Sequence, residues 1–274
     1  MIPGSANALL LASPAAGGYQ ISRSLRFNSI DSAYLGRTPA SAGNRQSWTW
    51  SGWVKRSNPD TGARQVLFSA YGASNDTGYF EFGFDNGANL GKFYWSQWTV
   101  DAQSAAVFRD FSAWYHIVVN YNGSNITAYV NGTSVLTSTK TGDLAINGTF
   151  EHGIGRQPNS GRYFSGYLAD IHFIDGQALT PSSFTEVSAT TGQLIPKAYT
   201  GTFTGNSFWL KFADNSAAVR DDDGIEIIEH ALAIDALKSS SGRVCGVTLH
   251  VIGAGSRDGV GRALARAVVV GAGV

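Results

Sequence analysis

Turn dipeptides punctuate this chain at intervals too short for helices. Asn58-Pro59-Asp60, Tyr71-Gly72, Asn75-Asp76, Asp85-Asn86-Gly87, Asn122-Gly123, Asn131-Gly132, Asn147-Gly148 and Asp175-Gly176 recur along the first three quarters. Asn-Gly and Asp-Gly supply the positive φ angles that tight hairpin turns require. The runs between them are short, alternate in polarity and are rich in β-branched and aromatic residues. That pattern predicts an antiparallel all-β sandwich or barrel.

The runs place the strands. WYHIVVNY at 114–121, ITAYV at 126–130 and TSV at 133–135 form three strands of a meander, joined by turns at 122–125 and at Asn131-Gly132. In 48–55, Trp48, Trp50, Gly52 and Val54 share one face of a strand, and Thr49, Ser51, Trp53 and Lys55 share the other. Residues 79–84 and 90–95 form a further hairpin. Residues 163–174 hold a long strand, and 208–212 a closing one.

The chain divides into an N-terminal arm at 1–20, a sandwich at 21–216 and an appendage at 217–274. The pattern changes after Ser216. Residues 221–237 open with Asp221-Asp222-Asp223 and read as an amphipathic helix, since acidic residues suit a helix N-terminus. Residues 244–252 are strand-like and 260–270 read as a second helix. This small mixed α/β appendage is too short for a core of its own, so it is expected to dock on the sandwich or on a neighbouring subunit.

Charged residues are 15% of the 274, against about 25% in an ordinary soluble domain. The polar surface is therefore built from Ser, Thr, Asn, Gln and Gly, which suits β structure, crowded assemblies and sugar contact. The formal charge is zero and no basic stripe stands out, which argues against a nucleic-acid partner. Cys245 is the single cysteine, so neither an intrachain disulfide nor a zinc cluster is available. The first 20 residues lack the positive n-region of a signal peptide. No run approaches the ~20 apolar residues of a membrane span, so membrane insertion is not expected.

Catalytic constellations are missing. A glycosidase needs two carboxylates flanking the scissile bond. Glu81 and Asp85 fall on one strand face with Phe82 and Phe84 on the other, and read as solvent-facing alternation. His116, His152, His172, His230 and His250 are scattered singly, without metal-ligand spacing. His116 and His172 read as satisfied sheet residues. No G-x-S-x-G elbow occurs. Gly255-Ser256-Arg257-Asp258-Gly259-Val260-Gly261 has a dinucleotide-loop spacing, but the chain ends before the acidic residue such a site requires. A Gly-rich turn is the better reading. No catalytic or cofactor-binding residue is assigned.

The aromatic run FYWSQW at 93–98 carries more information. Sugars bind through ring stacking and a few placed amides and hydroxyls. Tyr94 and Trp95 face opposite sides of a strand, so one of them is expected to be exposed, and Trp98 is expected on a loop. Tyr94, Trp95, Gln97 and Trp98 are the candidate carbohydrate-binding residues. Core packing or a subunit contact is the competing reading.

The blocks SLRFNS at 24–29, WTWSGWVK at 48–55, AWYHIVV at 113–119, ITAYVNG at 126–132 and FSGYLADIHFIDGQALTP at 164–181 resemble laminin-G-like, concanavalin-A-type jelly-roll domains. The resemblance implies a jelly-roll β-sandwich. The E-x-D-x-x-E strand of the glucanases in that class is absent. MIPGSAN at 1–7, SAYLGRTPASAGNR at 32–45 and IPKAYTG at 195–201 are similar to a subgroup found in tailed bacteriophages. That implies a virion structural protein on the particle surface: a tail fibre, receptor binder or capsid decoration. Its expected partners are other virion proteins, further copies of itself and a host surface glycan. After Asp214-Asn215-Ser216 the chain departs from that subgroup. Domains of this type often hold calcium on a rim through Asp and Asn oxygens. Asp85 and Asn86, with Asp143 and Asn147, are candidates by type, and each is also an ordinary turn former.

Overall fold

The computed structural model describes residues 18–57 and 62–212, and beyond them the backbone of four strands. Fifteen strands lie in these two spans: β1 (Leu25–Phe27), β2 (Tyr34–Arg37), β3 (Trp48–Arg56), β4 (Gln65–Tyr71), β5 (Tyr79–Phe84), β6 (Lys92–Gln97), β7 (Asp101–Val107), β8 (Tyr115–Tyr121), β9 (Asn125–Val130), β10 (Thr133–Thr139), β11 (Glu151–Ile154), β12 (Gly166–Asp175), β13 (Thr185–Val187), β14 (Leu194–Pro196) and β15 (Phe208–Leu210). The four later strands are β16 (Ala218–Arg220), β17 (Glu226–Ile228), β18 (Val247–Ile252) and β19 (Leu264–Val268).

Two antiparallel sheets face each other as a jelly-roll sandwich. The first runs β1-β12-β3-β8-β9-β10, with β15 also paired to β12. The second runs β19-β18-β2-β11-β4-β5-β6-β7. The predicted meander is present as β8-β9-β10, and the turn residues Asn131 and Asn147 have positive φ, as their Asn-Gly sequences require. The alternation read from 48–55 also holds. Trp48, Trp50 and Val54 enter the inter-sheet core with Phe80, Phe82, Phe84, Phe93 and Trp95 of the facing sheet. Gly52 has a steric reason to be glycine: a Cβ there would lie 2.7 Å from the Trp50 ring, which folds over it.

The outer face of the first sheet is covered as well. Chain between β12 and β15 lays Phe184, Leu179, Tyr199 and Phe203 over Val118 and Ile174. His172 stacks on Trp209 with centroids 5.0 Å apart, and His116 bonds Ser51 Oγ through Nε2 at 2.9 Å. The expectation that both histidines are satisfied is half right. Nδ1 of His116 and Nε2 of His172 are buried without a partner. Burial holds the His116 imidazole down to about 3 and lowers His172 too.

Two polar knots fasten the layers. Asp170 sits in the left-handed region (φ 52) at an irregularity in β12. Its Oδ1 accepts from Tyr19 Oη at 2.7 Å and Trp209 Nε1 at 2.6 Å, which ties the start of the described chain to the outer face. Beside Tyr19, Ile21 packs on Trp53 and Ala169. At the C-terminal end of β12, Asp175 accepts from the Asn44 and Asn206 backbone N–H groups and from Asn147 Nδ2. Three separate loops thereby converge on one buried carboxylate.

The appendage differs from expectation. Leu264–Val268 is a strand paired with β18, where a helix over 260–270 was expected, and β18 pairs in turn with β2. Glu226–Ile228, inside the helix expected over 221–237, is a strand paired with β16. Both segments carry β-branched residues, Ile227-Ile228 and Val268, whose stiff side chains favour extended backbone. The Gly255–Gly261 motif and most of the 1–20 arm lie outside the described residues.

Candidate functional site

The outer face of the second sheet gathers most of the chemistry. The registers of β2, β11, β4, β5, β6 and β7 place Tyr34, Glu151, Ser69, Tyr71, Tyr79, Glu81, Tyr94, Ser96, Asp101 and Gln103 on it. Glu81 is fully buried there, so its reading as a solvent-facing residue is corrected. Its Oε1 accepts from Tyr94 Oη at 2.9 Å and from Arg162 Nη1 at 2.6 Å, while Oε2 has no partner. Arg162 Nη1 also donates to Tyr79 Oη at 3.1 Å. Burial raises the Glu81 carboxyl against the opposing pull of Arg162, and raises the Tyr94 and Tyr79 phenols.

The expectation that either Tyr94 or Trp95 is exposed is not met: both are buried. Trp95 points inward and stacks on Phe80 at 5.7 Å. Tyr94 points outward but lies under Arg64, whose guanidinium sits 4.3 Å from its ring centroid. Alternation assigns the two rings to opposite faces correctly. It carries no signal for the long side chains that cover the outer one. Gln97 shares the inward face with Trp95 and donates to the Asp76 carbonyl at 2.8 Å.

Trp98 is the predicted residue that reaches solvent, at 55% exposure. It stands edge-on to Tyr79 at 6.3 Å, and Tyr79 is edge-on to half-buried Tyr71 at 6.4 Å. Tyr71 Oη lies 3.1 Å from Ser74 Oγ. The base of the Trp98 turn is fixed by Asp76, which accepts from Thr99 N at 2.8 Å and Thr99 Oγ1 at 2.6 Å. These bonds lower the Asp76 carboxyl. The result is a ladder Trp98–Tyr79–Tyr71 with Arg162 and Glu81 beside its middle ring. Sequence reasoning missed Tyr71, Tyr79 and Arg162. Arg162 joins the site from a loop 81 positions away from Glu81, and no local pattern encodes such an approach.

The calcium candidates do not fit a cation. Asp85 accepts from Arg64 Nε at 3.1 Å, from Gln103 Nε2 at 2.5 Å and from the Asn86 N–H at 2.9 Å, so its oxygens face donors. Asp143 pairs with Arg45 at 3.5 Å, and Asn147 is used in the Asp175 knot. Asp85 and Asn86 therefore do not converge with Asp143 and Asn147. Among the described residues no group of three or more His, Cys, Asp or Glu side chains is arranged to hold a metal. No helix among them is long and apolar enough to cross a membrane.

Comparison with known proteins gives several likenesses. A 50-residue stretch is 50% identical to L-aspartate oxidase of Streptomyces coelicolor, covering 18% of this chain and 9% of that enzyme. This chain thus spans under a tenth of that relative's length. Among solved structures, domain 4 of an extracellular arabinanase from Geobacillus stearothermophilus, in complex with arabinotriose, matches with TM-score 0.41 and 16% identity, over 53% of this chain and 67% of that one. The heptameric SAP-like pentraxin of Limulus polyphemus gives 0.41 and 16%, over 55% and 73%. Tailspike protein 2 of an Escherichia coli O157:H7 bacteriophage gives 0.43 and 10%, over 59% and 23%. The model of the Laminin_G_3 family matches residues 31–183, more than half of the chain and the span holding β2 to β12. The chain belongs to that family, within the concanavalin A-like lectin/glucanases superfamily.

Proposed function

We propose that this protein is a non-catalytic saccharide-binding sandwich carried on the surface of a bacteriophage particle. The observation that carries the binding part is the exposed Trp98, held edge-on by Tyr79 beside the half-exposed Arg162 guanidinium. An exposed ring with fixed polar groups at its side is what a sugar needs: a flat apolar face to stack on and directional donors to read its hydroxyls. Against catalysis stand the partners of the two carboxylates that the sequence puts on one strand face. Glu81 is held by Arg162 and Asp85 by Arg64. The placement on a particle rests on the similarity of 1–7, 32–45 and 195–201 to tailed-phage proteins. In that setting the sandwich is a tail-fibre, receptor-binding or decoration component, assembled with other virion proteins and with copies of itself.

Binding is tested by affinity electrophoresis of the purified protein through gels containing host-type polysaccharides. The wild type is expected to be retarded by at least one of them. Trp98→Ala is expected to weaken that retardation at least tenfold, the loss typical of a removed aromatic anchor, with an unchanged melting temperature. Retardation that survives Trp98→Ala would move the site elsewhere. Mass spectrometry of purified particles tests the placement. Absence of the chain there would favour a free carbohydrate-binding module or adhesin.

A further inference from the structure

We infer that the outer face of the second sheet selects uncharged, hydroxyl-rich saccharides and rejects acidic ones. The inference rests on the saccharide-binding reading above and adds the ligand class.

The guanidiniums gathered on this face are already neutralised from within it. Arg64 pairs with both Asp85 and Asp101, Arg156 with Glu151, and Arg162 with Glu81. Asp76 adds a further carboxylate at the foot of Trp98, with Lys140 acting on it from the rim. Carboxylates therefore outnumber guanidiniums around the aromatic ladder. A uronate or sulfate arriving at the ladder finds each of these guanidiniums already bound to a carboxylate, and Lys92, on the same face, donating to Asn89 Oδ1. To gain a guanidinium it must displace a carboxylate that stays behind, so its own charge then sits beside that carboxylate. A neutral sugar meets none of this. Ring stacking on Trp98 costs no charge separation, and a guanidinium bound to one carboxylate still presents further N–H donors to hydroxyl oxygens. The pairing also orients those donors, since a paired guanidinium keeps its plane. Arg162 is the case in point: only its Nη1 is used, on Glu81 and Tyr79, and its side chain is 37% exposed.

The test compares neutral glucans, galactans and mannans with uronate-bearing and sulfated polysaccharides on one array, at 50 and 500 mM NaCl. It uses the wild type, Trp98→Ala and the double variant Asp101→Asn/Glu151→Gln. Both carboxylates of the double variant are 43% exposed, so their loss leaves the core intact. The wild type is expected to prefer neutral saccharides at least tenfold, through Trp98 and with little salt dependence. The double variant, with Arg156 released and Arg64 half released, is expected to gain at least threefold on acidic saccharides and to keep its affinity for neutral ones. Trp98-dependent binding that favours acidic saccharides overturns the inference and leaves the saccharide reading standing. A neutral preference that the double variant does not narrow overturns the charge argument. Binding that survives Trp98→Ala overturns the inference by placing the site elsewhere, and absence of binding to either class overturns the saccharide reading itself.

Discussion

Acid should destabilise this protein through its buried histidines. His116 and His152 are fully buried, and burial lowers them from 6.5 to about 3 and about 4. His172 is lowered in the same way. The folded state therefore holds neutral imidazoles that the unfolded chain would protonate. The sign follows: the stability is complete above pH 6.5 and is lost as pH falls from there toward the folded values. At pH 4.5 the unfolded state gains close to two units of proton binding free energy at each of His116 and His152. With 1.36 kcal/mol per unit, that is about 2–3 kcal/mol each, or of the order of 5 kcal/mol together. A typical domain holds about 5–15 kcal/mol in total. Glu81 opposes the trend, because its raised carboxyl binds a proton more readily folded than unfolded. Comparison with a variant isolates the histidine contribution. Urea unfolding at pH 7.5, 6.5, 5.5 and 4.5 should show stability falling steeply below 6.5. In His152→Gln the share of the fall due to that imidazole, about 2–3 kcal/mol at pH 4.5, should vanish, whatever the variant's stability at neutral pH. A flat profile between 7.5 and 4.5, or a slope unchanged in His152→Gln, would refute the reasoning.

Asp175→Ala should cost at least 3 kcal/mol by denaturant midpoint. It strips the partner from two backbone N–H groups and the Asn147 amide at once, and hydrogen bonds to a charged group are worth about 1.5–3 kcal/mol each. Tyr19→Phe should cost about 1–2 kcal/mol, leave the core intact and speed proteolytic release of the residues before Arg23, because it removes one of the two bonds to Asp170. Trp50→Ala should cost about 3–5 kcal/mol, since its ring is fully buried against Phe82 at 5.3 Å, whereas Trp98→Ala should change the melting temperature by less than about 2 °C.

What the sequence disclosed and what it withheld divide along a physical line. Alternation reports which side chains share a face of a strand. It put Trp48 and Trp50 together against Thr49 and Ser51, and Tyr94 opposite Trp95, and each assignment holds. What lies over a face is set by chain that returns from far away. The layer over His116 and His172 comes from between β12 and β15, and the cover over Glu81 is an arginine from the loop before β12. That is why Glu81 read as solvent-facing and why Tyr94 read as a sugar platform, when both lie beneath guanidiniums. Trp98 was legible for the opposite reason. It follows the last residue of β6, so no strand partner and no returning loop claims it. The calcium candidates failed by the same logic. Asp and Asn at turns supply the right oxygens, but their partners are chosen by tertiary neighbours, and Arg64 and Arg45 arrived first. In a sandwich whose two outer faces are both partly roofed, the exposed aromatic surface is set less by the strands than by where the roof stops. Here it stops at the β6–β7 turn, and Trp98 stands at that edge.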